Sequence, residues 1–225
     1  MWCITAITAE YRKRMFKLLA LYSRSYDKRH PVVCVDEKSK QLIEDVRKSI
    51  PLKPGSPTKY DGEYRRKGTR NIFVAVEPLA GRRKIKVTLQ RKKIDFANFI
   101  KQLVNHEYRQ AKKVRLVLDN LNTHFAASFY QAFSKKQADS ILRKIDFYYT
   151  PTHGSWLNMA EIEINMMDRE CLARRIGDAA EMEREIECWS RQRNKERKKI
   201  NWAFTRKDAT KSCLNFMLLI KLWTH

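Results

Sequence analysis

KVRLVLDN, at residues 113–120, is a segment of alternating and β-branched apolar residues that ends in Asp119. VVCVD, at residues 32–36, has the same form and ends in Asp36. Both segments are typical of buried β-strands. A carboxylate at the end of a buried strand is costly unless it has a partner. If the two strands are neighbours, their ends place the two carboxylates side by side. Taken alone, each acid is equally compatible with a turn former or helix cap.

The pattern of apolar residues along the whole chain predicts a mixed α/β domain. Three further strands are expected at residues 71–78, 84–90 and 144–151, and residues 51–70 are expected to form a loop. Amphipathic helices are expected at residues 9–22, 95–108, 123–133, 135–144, 158–174 and 178–199. The first three strands can form an antiparallel meander, and the later strands can pair in parallel with the first. The expected architecture is one mixed five-stranded sheet flanked by helices.

Composition points to a polyanionic partner. The 225 residues include 47 Lys and Arg against 25 Asp and Glu, a formal net charge of +22. Nucleic acid is the first expectation and an anionic membrane surface the second. The 5 cysteines form no CxxC pair, which argues against a structural zinc site and favours a reducing, intracellular compartment. The longest apolar stretch, residues 213–223, is too short to span a bilayer.

A third acid, Glu161, falls in the first turn of the helix that is expected after the last strand. Three clustered acids repel one another, and a divalent cation relieves that repulsion. Ligation by oxygen atoms alone suits Mg²⁺ or Mn²⁺. Two such ions can stabilise the attacking and leaving oxygens of a phosphodiester displacement. Acids surrounded by a polycationic surface are therefore the pattern expected of a metal-dependent nuclease.

Four segments of the chain resemble one family. They are VVCVDEKSKQL (32–42), EYRRKGTRNIFVAVEPLAGRR (63–83), LVLDNLNTH (116–124) and YTPTHGSWLNMAEIEI (149–164). They are similar to the DDE transposases of bacterial insertion sequences in the mariner-related group. Those enzymes have a first strand that ends in Asp, a DN-x₃-H motif and an LN-x₂-E motif. The resemblance covers about residues 1–208 and implies a ribonuclease H-like catalytic domain.

The resemblance implies that Asp36, Asp119 and Glu161 are the catalytic acids and the ligands of two Mg²⁺ or Mn²⁺ ions. Glu163 is the alternative third acid, but it lies about 200° further around the helix, so both cannot face one site. The interval from Asp119 to Glu161 is longer than is typical of the group. The extra residues are expected in the predicted helical segment at residues 134–144.

Further residues beside these motifs are candidates for DNA contacts. His124 is expected to contact phosphate or a second carboxylate, with a packing or helix-cap histidine as the alternative. Trp156 could stack on a base, with a buried core tryptophan as the alternative. The basic clusters at residues 65–67, 82–84, 91–93 and 195–199 are candidates for phosphate contacts, or are simply solvated surface. The candidate DNA-binding residues are Asn120, His124, His153, Ser155, Trp156, Asn158, Arg65, Arg66, Arg82 and Arg83.

The expected organisation has three parts: an N-terminal linker and helix (1–30), the catalytic domain (31–177) and a helical extension (178–225). Mariner-related transposases usually carry helix-turn-helix modules ahead of the catalytic domain, and none is recognised here. The chain is therefore expected to be a separately started product or a fragment, with weakened recognition of transposon ends. The apolar tail from Lys211 also departs from the expected family ending.

The leading hypothesis is a transposase catalytic domain that cleaves DNA strands and then joins the freed 3′-OH to target DNA. The expected partners are transposon ends, target DNA and a second copy of the chain, with no membrane. The expected location is the bacterial cytoplasm, at the nucleoid. Two alternatives remain: an inactive, non-specific DNA-binding remnant or regulator, and a basic RNA-binding structural protein. The second of these explains the charge but not the acids at strand ends.

Overall fold

The computed structural model describes residues 7–47, 49–59 and 62–211. Five strands form one sheet in the order β3-β2-β1-β4-β5. The strands are β1 (Val32–Asp45), β2 (Tyr64–Glu77), β3 (Arg82–Thr88), β4 (Val114–Leu118) and β5 (Ile145–Tyr149). The helices are α1 (Ala9–Tyr22), α2 (Lys93–Gln102), α3 (Ala127–Ala132), α4 (Lys135–Leu142), α5 (Ala160–Glu170) and α6 (Ala179–Lys195).

The strand pairing is mixed, as the sequence predicts. β1 pairs antiparallel with β2, and β2 pairs antiparallel with β3. β1 also pairs in parallel with β4, and β4 in parallel with β5. The predicted five-stranded mixed sheet is therefore confirmed, with the first three strands as a meander. β1 and β4 are parallel neighbours, and Cys34 is paired with Val117. Asp36 in β1 and Asp119 after β4 therefore lie at the same level of the sheet.

Side chains of the sheet alternate between two covered faces. Val35, Phe73 and Leu118 pack with α2 and α3 in one hydrophobic cluster. Cys34 and Val76 belong to a second cluster, together with residues of α1. Ile72 and Val74 of β2 belong to a third cluster, together with residues of α5 and α6. Alternation along a strand puts Asp36 on the same face as Cys34, beneath α5. The sheet thereby presents the first acid to the helix that carries Glu161.

Several predicted boundaries differ from the observed ones. Residues 64–70, expected to be loop, are strand, because their main chain pairs with the second half of β1. The side chains of this part of β2 are exposed, so no apolar alternation marks it. The helix expected at residues 95–108 covers Lys93–Gln102 and then continues as a π-helical turn, Leu103–Glu107. The prediction at residues 9–22 is confirmed at both ends.

The division into three regions stays a prediction. The tail from residue 212 onward lies outside the described residues. Within the part of the chain that is described, no helix is long and apolar enough to cross a membrane. Cys34, Cys171 and Cys188 are free thiols.

Candidate catalytic site

Asp36 lies on the buried face of β1 with only 8% of its surface exposed. Its Oδ1 accepts a hydrogen bond of 2.8 Å from the Glu37 main-chain nitrogen. Burial and the negative charges of Glu161 and Asp119 together raise the pKa of Asp36 to about 7, although this hydrogen bond lowers it. Asp119 and Glu161 therefore both lie close enough to Asp36 for their charges to act on it.

Asp119 directly follows β4 and is bound to His124. The Asp119 Oδ1 lies 2.6 Å from His124 Nδ1 and accepts a 3.1 Å hydrogen bond from the Leu121 main-chain nitrogen. His124 Nε2 lies 2.9 Å from Glu37 Oε2, and neither side chain is more than 2% exposed. Burial lowers the pKa of His124, but the bonds to Asp119 and Glu37 outweigh it and raise that pKa to about 9. The imidazolium thus ties the end of β4 to β1.

Asn158 fixes the start of α5 against β1. It is fully buried, and its Nδ2 donates to the Val35 carbonyl oxygen at 2.9 Å and approaches Asp36 Oδ2 at 3.4 Å. Its Oδ1 accepts a hydrogen bond of 3.2 Å from the Ala160 main-chain nitrogen. A side chain with these contacts cannot reach DNA, so the predicted DNA contact does not fit its position. Asn158 instead sets the distance between Asp36 and the first turn of α5.

Glu161 and Glu163 point to opposite sides of α5. Glu161 is partly exposed and its charge acts on Asp36. Glu163 is fully buried, and its Oε1 lies 2.8 Å from Arg83 Nε and 2.9 Å from Arg193 Nε. Burial lowers the pKa of Arg83, while Glu163 raises it. Glu163 is thus held in an ion cluster on the far side, which leaves Glu161 as the acid of this helix that faces Asp36.

The donor chemistry of the three acids fits a divalent cation. Among residues 7–47, 49–59 and 62–211, no three His, Cys, Asp or Glu side chains are gathered tightly enough to hold an ion as they stand. The charges of Asp119 and Glu161 nevertheless both act on Asp36. In the described part of the chain, Asp119 Oδ2 has no hydrogen-bond partner. Oxygen donors with excess negative charge are the set that Mg²⁺ and Mn²⁺ prefer.

Comparison with known families decides the assignment. Residues 31–183 match the family described as DDE superfamily endonuclease, which is more than half of the chain. The chain belongs to the DDE superfamily of endonucleases. The matched segment contains all five strands, Asp36, Asp119 and Glu161. A search of curated protein sequences gives no match.

Solved structures of a mariner transposase share the fold of this DDE domain. The Mos1 mariner paired end complex with Mn matches with a TM-score of 0.57 and 15% identity, over 88% of this chain and 60% of that one. The Mos1 paired end complex with Mg gives a TM-score of 0.56 and 16% identity, over 88% and 59%. The predicted ribonuclease H-like fold is thereby confirmed. The chain spans about 60% of the length of these transposases.

Asn120, the second residue of the DN motif, is engaged within the DDE domain. Its Nδ2 donates to the Thr150 carbonyl oxygen at 2.5 Å, and its Oδ1 accepts from Arg14 Nη1 at 2.6 Å. These bonds join the ends of β4 and β5 to α1. A direct contact between Asn120 and DNA stays a prediction.

The loop ahead of α5 divides into exposed and packed residues. His153 and Ser155 are exposed, and His153 has a left-handed main chain with φ of 60°. Trp156 is partly buried, and its ring lies 6.4 Å from that of Trp202 and 5.4 Å from that of Phe204, centroid to centroid. Trp156 therefore matches its alternative interpretation as a packing residue, whereas His153 and Ser155 are accessible to a ligand.

The predicted basic contacts also divide. Arg65 and Arg66 are exposed near the start of β2, and Arg82 is exposed at the start of β3. The Arg83 side chain is fully buried beside Glu163, and its Nη2 donates to the Lys198 carbonyl oxygen at 2.6 Å. Because Arg83 has no access to solvent, a phosphate contact does not fit its position.

Two residues beside the acids carry no sequence signal strong enough to single them out. Glu37 follows a motif aspartate on the opposite face of β1, and only the fold brings it to His124. Arg14 is one of several basic residues in α1, and it is 106 residues from Asn120 in sequence. Strand alternation after Asp36 is the only pattern that separates Glu37 from the acid site.

Proposed function

We propose that this chain is the catalytic domain of a DNA transposase that cleaves DNA strands and then transfers them to target DNA. The observation that carries the proposal is that Asp119 and Glu161 lie close enough for their charges to act on the buried Asp36, in a chain that belongs to a family of endonucleases. A net charge of +22 supports a phosphodiester substrate.

In this proposal, Asp36 and Asp119 would supply carboxylate oxygens to the divalent ions, and Glu161 would hold the second ion. When bound, two such ions stabilise negative charge on the attacking and leaving oxygens of a phosphodiester displacement. His124 orients Asp119 through Nδ1, while Asn158 orients Asp36 and the start of α5. We propose both Mg²⁺ and Mn²⁺ as usable ions, because the similar Mos1 paired end complexes include one with Mg and one with Mn.

The proposed partners are transposon ends, target DNA and a second copy of the chain. The similar Mos1 structures are paired end complexes, which supports an arrangement that holds two DNA ends. A domain with this charge would act at the chromosome, where DNA is concentrated. His153 and Ser155, exposed ahead of α5, are the accessible residues that we propose to line the path of the DNA end.

The experiment is strand cleavage of labelled linear DNA that carries candidate terminal repeats. It is run with Mg²⁺, with Mn²⁺ and with chelator, for the wild type and for Glu161→Gln. Cleavage that needs metal and is lost in the variant supports the proposal. Salt-sensitive DNA binding without cleavage under any metal condition would contradict it and would favour the non-catalytic DNA-binding alternative.

A further inference from the structure

A second basic surface lies away from the three acids. It is a groove of about 710 Å³ between the β2–β3 turn, the π-helical turn after α2 and the segment after α6. Its charged lining includes Lys28, Arg82, Lys84, Arg197 and Lys199. These side chains come from three separate parts of the sequence, so only the fold brings them together. We call this surface the basic groove.

Most of the positive charge in the basic groove is not neutralised by protein. Lys84 pairs with Glu107 at 3.2 Å. Among the described residues, no ion pair within 4.0 Å engages Lys28, Arg82, Arg197 or Lys199, and all four are exposed. Converging cations repel one another and favour an anion that bridges them.

Besides Glu107, a buried acid, Glu77, lies close enough to Arg82 to interact with it. Glu77 is 2% exposed, and burial raises the pKa of its carboxyl group, while the charge of Arg82 lowers it. Tyr26 and Tyr108, which line the groove, interact with the same carboxyl group. Tyr26 itself is 50% exposed and presents an aromatic face beside the cations.

The backbone of the basic groove is fixed by interlocking turns. Gly81 has φ of 64°, and a Cβ atom at this position would lie 2.4 Å from the Arg197 carbonyl oxygen. Arg197 is itself left-handed, with φ of 49°. The main-chain nitrogen of Ile200 donates to the Pro78 carbonyl oxygen at 3.1 Å. These contacts hold the segment after α6 against the β2–β3 turn, so the cations are displayed from a defined surface.

The groove is displaced from the acids along the sheet. Asp36 is opposite Val74 in the β1–β2 register, and Glu77 is three residues further along β2 and opposite Arg82. At about 3.3 Å per residue, that displacement is about 10 Å along the strand direction. The groove lies at the end of the sheet where β1 begins, whereas Asp119 lies where β4 ends.

We propose that the basic groove binds the phosphate backbone of a DNA segment separate from the one cleaved at the acids. The inference rests on the proposed function only in that DNA is the partner. Exposed Lys and Arg side chains are the groups that most often contact DNA phosphates, and the exposed Tyr26 ring adds a surface for sugar or base contacts.

The test is the salt dependence of DNA binding, measured by anisotropy of a short labelled duplex in chelator, so that no cleavage occurs. The groove variant combines Lys28→Gln, Arg82→Gln and Lys199→Gln. Arg197 is left in place because its main chain is left-handed. The control variant removes the same charge from α4 and its C-cap residue, with Lys135→Gln, Lys136→Gln and Arg143→Gln, all at exposed positions.

Loss of three phosphate contacts should reduce the slope of log affinity against log salt by roughly 2.7, since each contact contributes about 0.9. The control variant should keep the wild-type slope, and both variants should keep the wild-type melting temperature. Equal slopes for the groove and control variants would overturn the proposal. If the groove variant lowers the salt slope but the wild type cuts no DNA, the proposed function is refuted and the groove proposal stands. If the wild type cuts DNA but the groove variant keeps the wild-type salt slope, the groove proposal alone is refuted.

Discussion

Replacing Glu163 with Gln tests how α5 is held beside the acids. Glu163 is the only carboxylate shown within 4.0 Å of Arg83 among the described residues, and both side chains are at most 1% exposed. Glu163→Gln keeps the shape of the side chain but removes its charge. The Arg83 guanidinium remains charged at any accessible pH, so it would be left buried without a counter-ion.

The expected cost follows from that burial. Removing one partner of a buried ion pair costs about 3–5 kcal/mol. The amide oxygen of Gln can still accept one hydrogen bond, and Arg83 keeps its bonds to the Gly81 and Lys198 carbonyl oxygens. The lower end, about 3 kcal/mol, is therefore expected, a large share of a typical 5–15 kcal/mol of folding free energy. With a urea dependence near 3 kcal/mol per molar, the midpoint should fall by about 1 M.

The assay is urea unfolding followed by circular dichroism, with Glu161→Gln as the matched control on the same helix. Glu161 is partly exposed and repels Asp36, so its neutralisation should change the free energy of unfolding by less than about 0.5 kcal/mol. A wild-type midpoint for Glu163→Gln together with a large loss for Glu161→Gln would refute the reasoning and reverse the roles of the two acids.

Three other substitutions probe the residues around the acids. His124→Gln should lower the free energy of unfolding, measured by urea titration, by about 3 kcal/mol, because Glu37 would be left buried without its partner. An unchanged urea midpoint would contradict the ion-pair assignment. Asn158→Ala should cost about 1–3 kcal/mol in the same assay, because the buried Val35 carbonyl oxygen loses its donor; a cost near zero would show that this bond is dispensable. Arg14→Ala should cost only about 1 kcal/mol, since the Arg14 side chain is 36% exposed; its strand cleavage should nevertheless fall, and full activity would exclude a role in holding Asn120.

The sequence predicts the strands of the sheet and the candidate acids better than it predicts the side-chain contacts between distant segments that position those acids. Apolar, largely β-branched segments mark the cores of β1, β2 and β4, the three inner strands, because burial on two faces demands such residues. Residues 64–70 lack this mark, because their side chains are almost all exposed. The choice of Glu161 over Glu163 follows from helix geometry and agrees with the ion cluster around Glu163.

Contacts between distant segments are the part that local patterns do not predict. Arg83 belongs to a basic cluster that suggests a DNA contact. Side chains alternate between the two faces of β3, however, so Arg82 is exposed while Arg83 points inward to Glu163. His124 has two carboxylate partners, one within its own motif and one in β1. The DN-x₃-H spacing points to the first partner, but only the parallel pairing of β1 and β4 brings the second within reach.

The most direct measurement for the central claim is Mn²⁺ binding by calorimetry, because it depends neither on the DNA sequence nor on any further domain. The wild type should bind Mn²⁺ reversibly, and Asp36→Asn, Asp119→Asn and Glu161→Gln should each weaken binding by at least about tenfold, or 1.4 kcal/mol. Glu187→Gln on the exposed surface of α6 serves as the control and should bind as the wild type does. Unchanged Mn²⁺ affinity in Asp119→Asn would contradict the account, because the three acids would then not form one cation site.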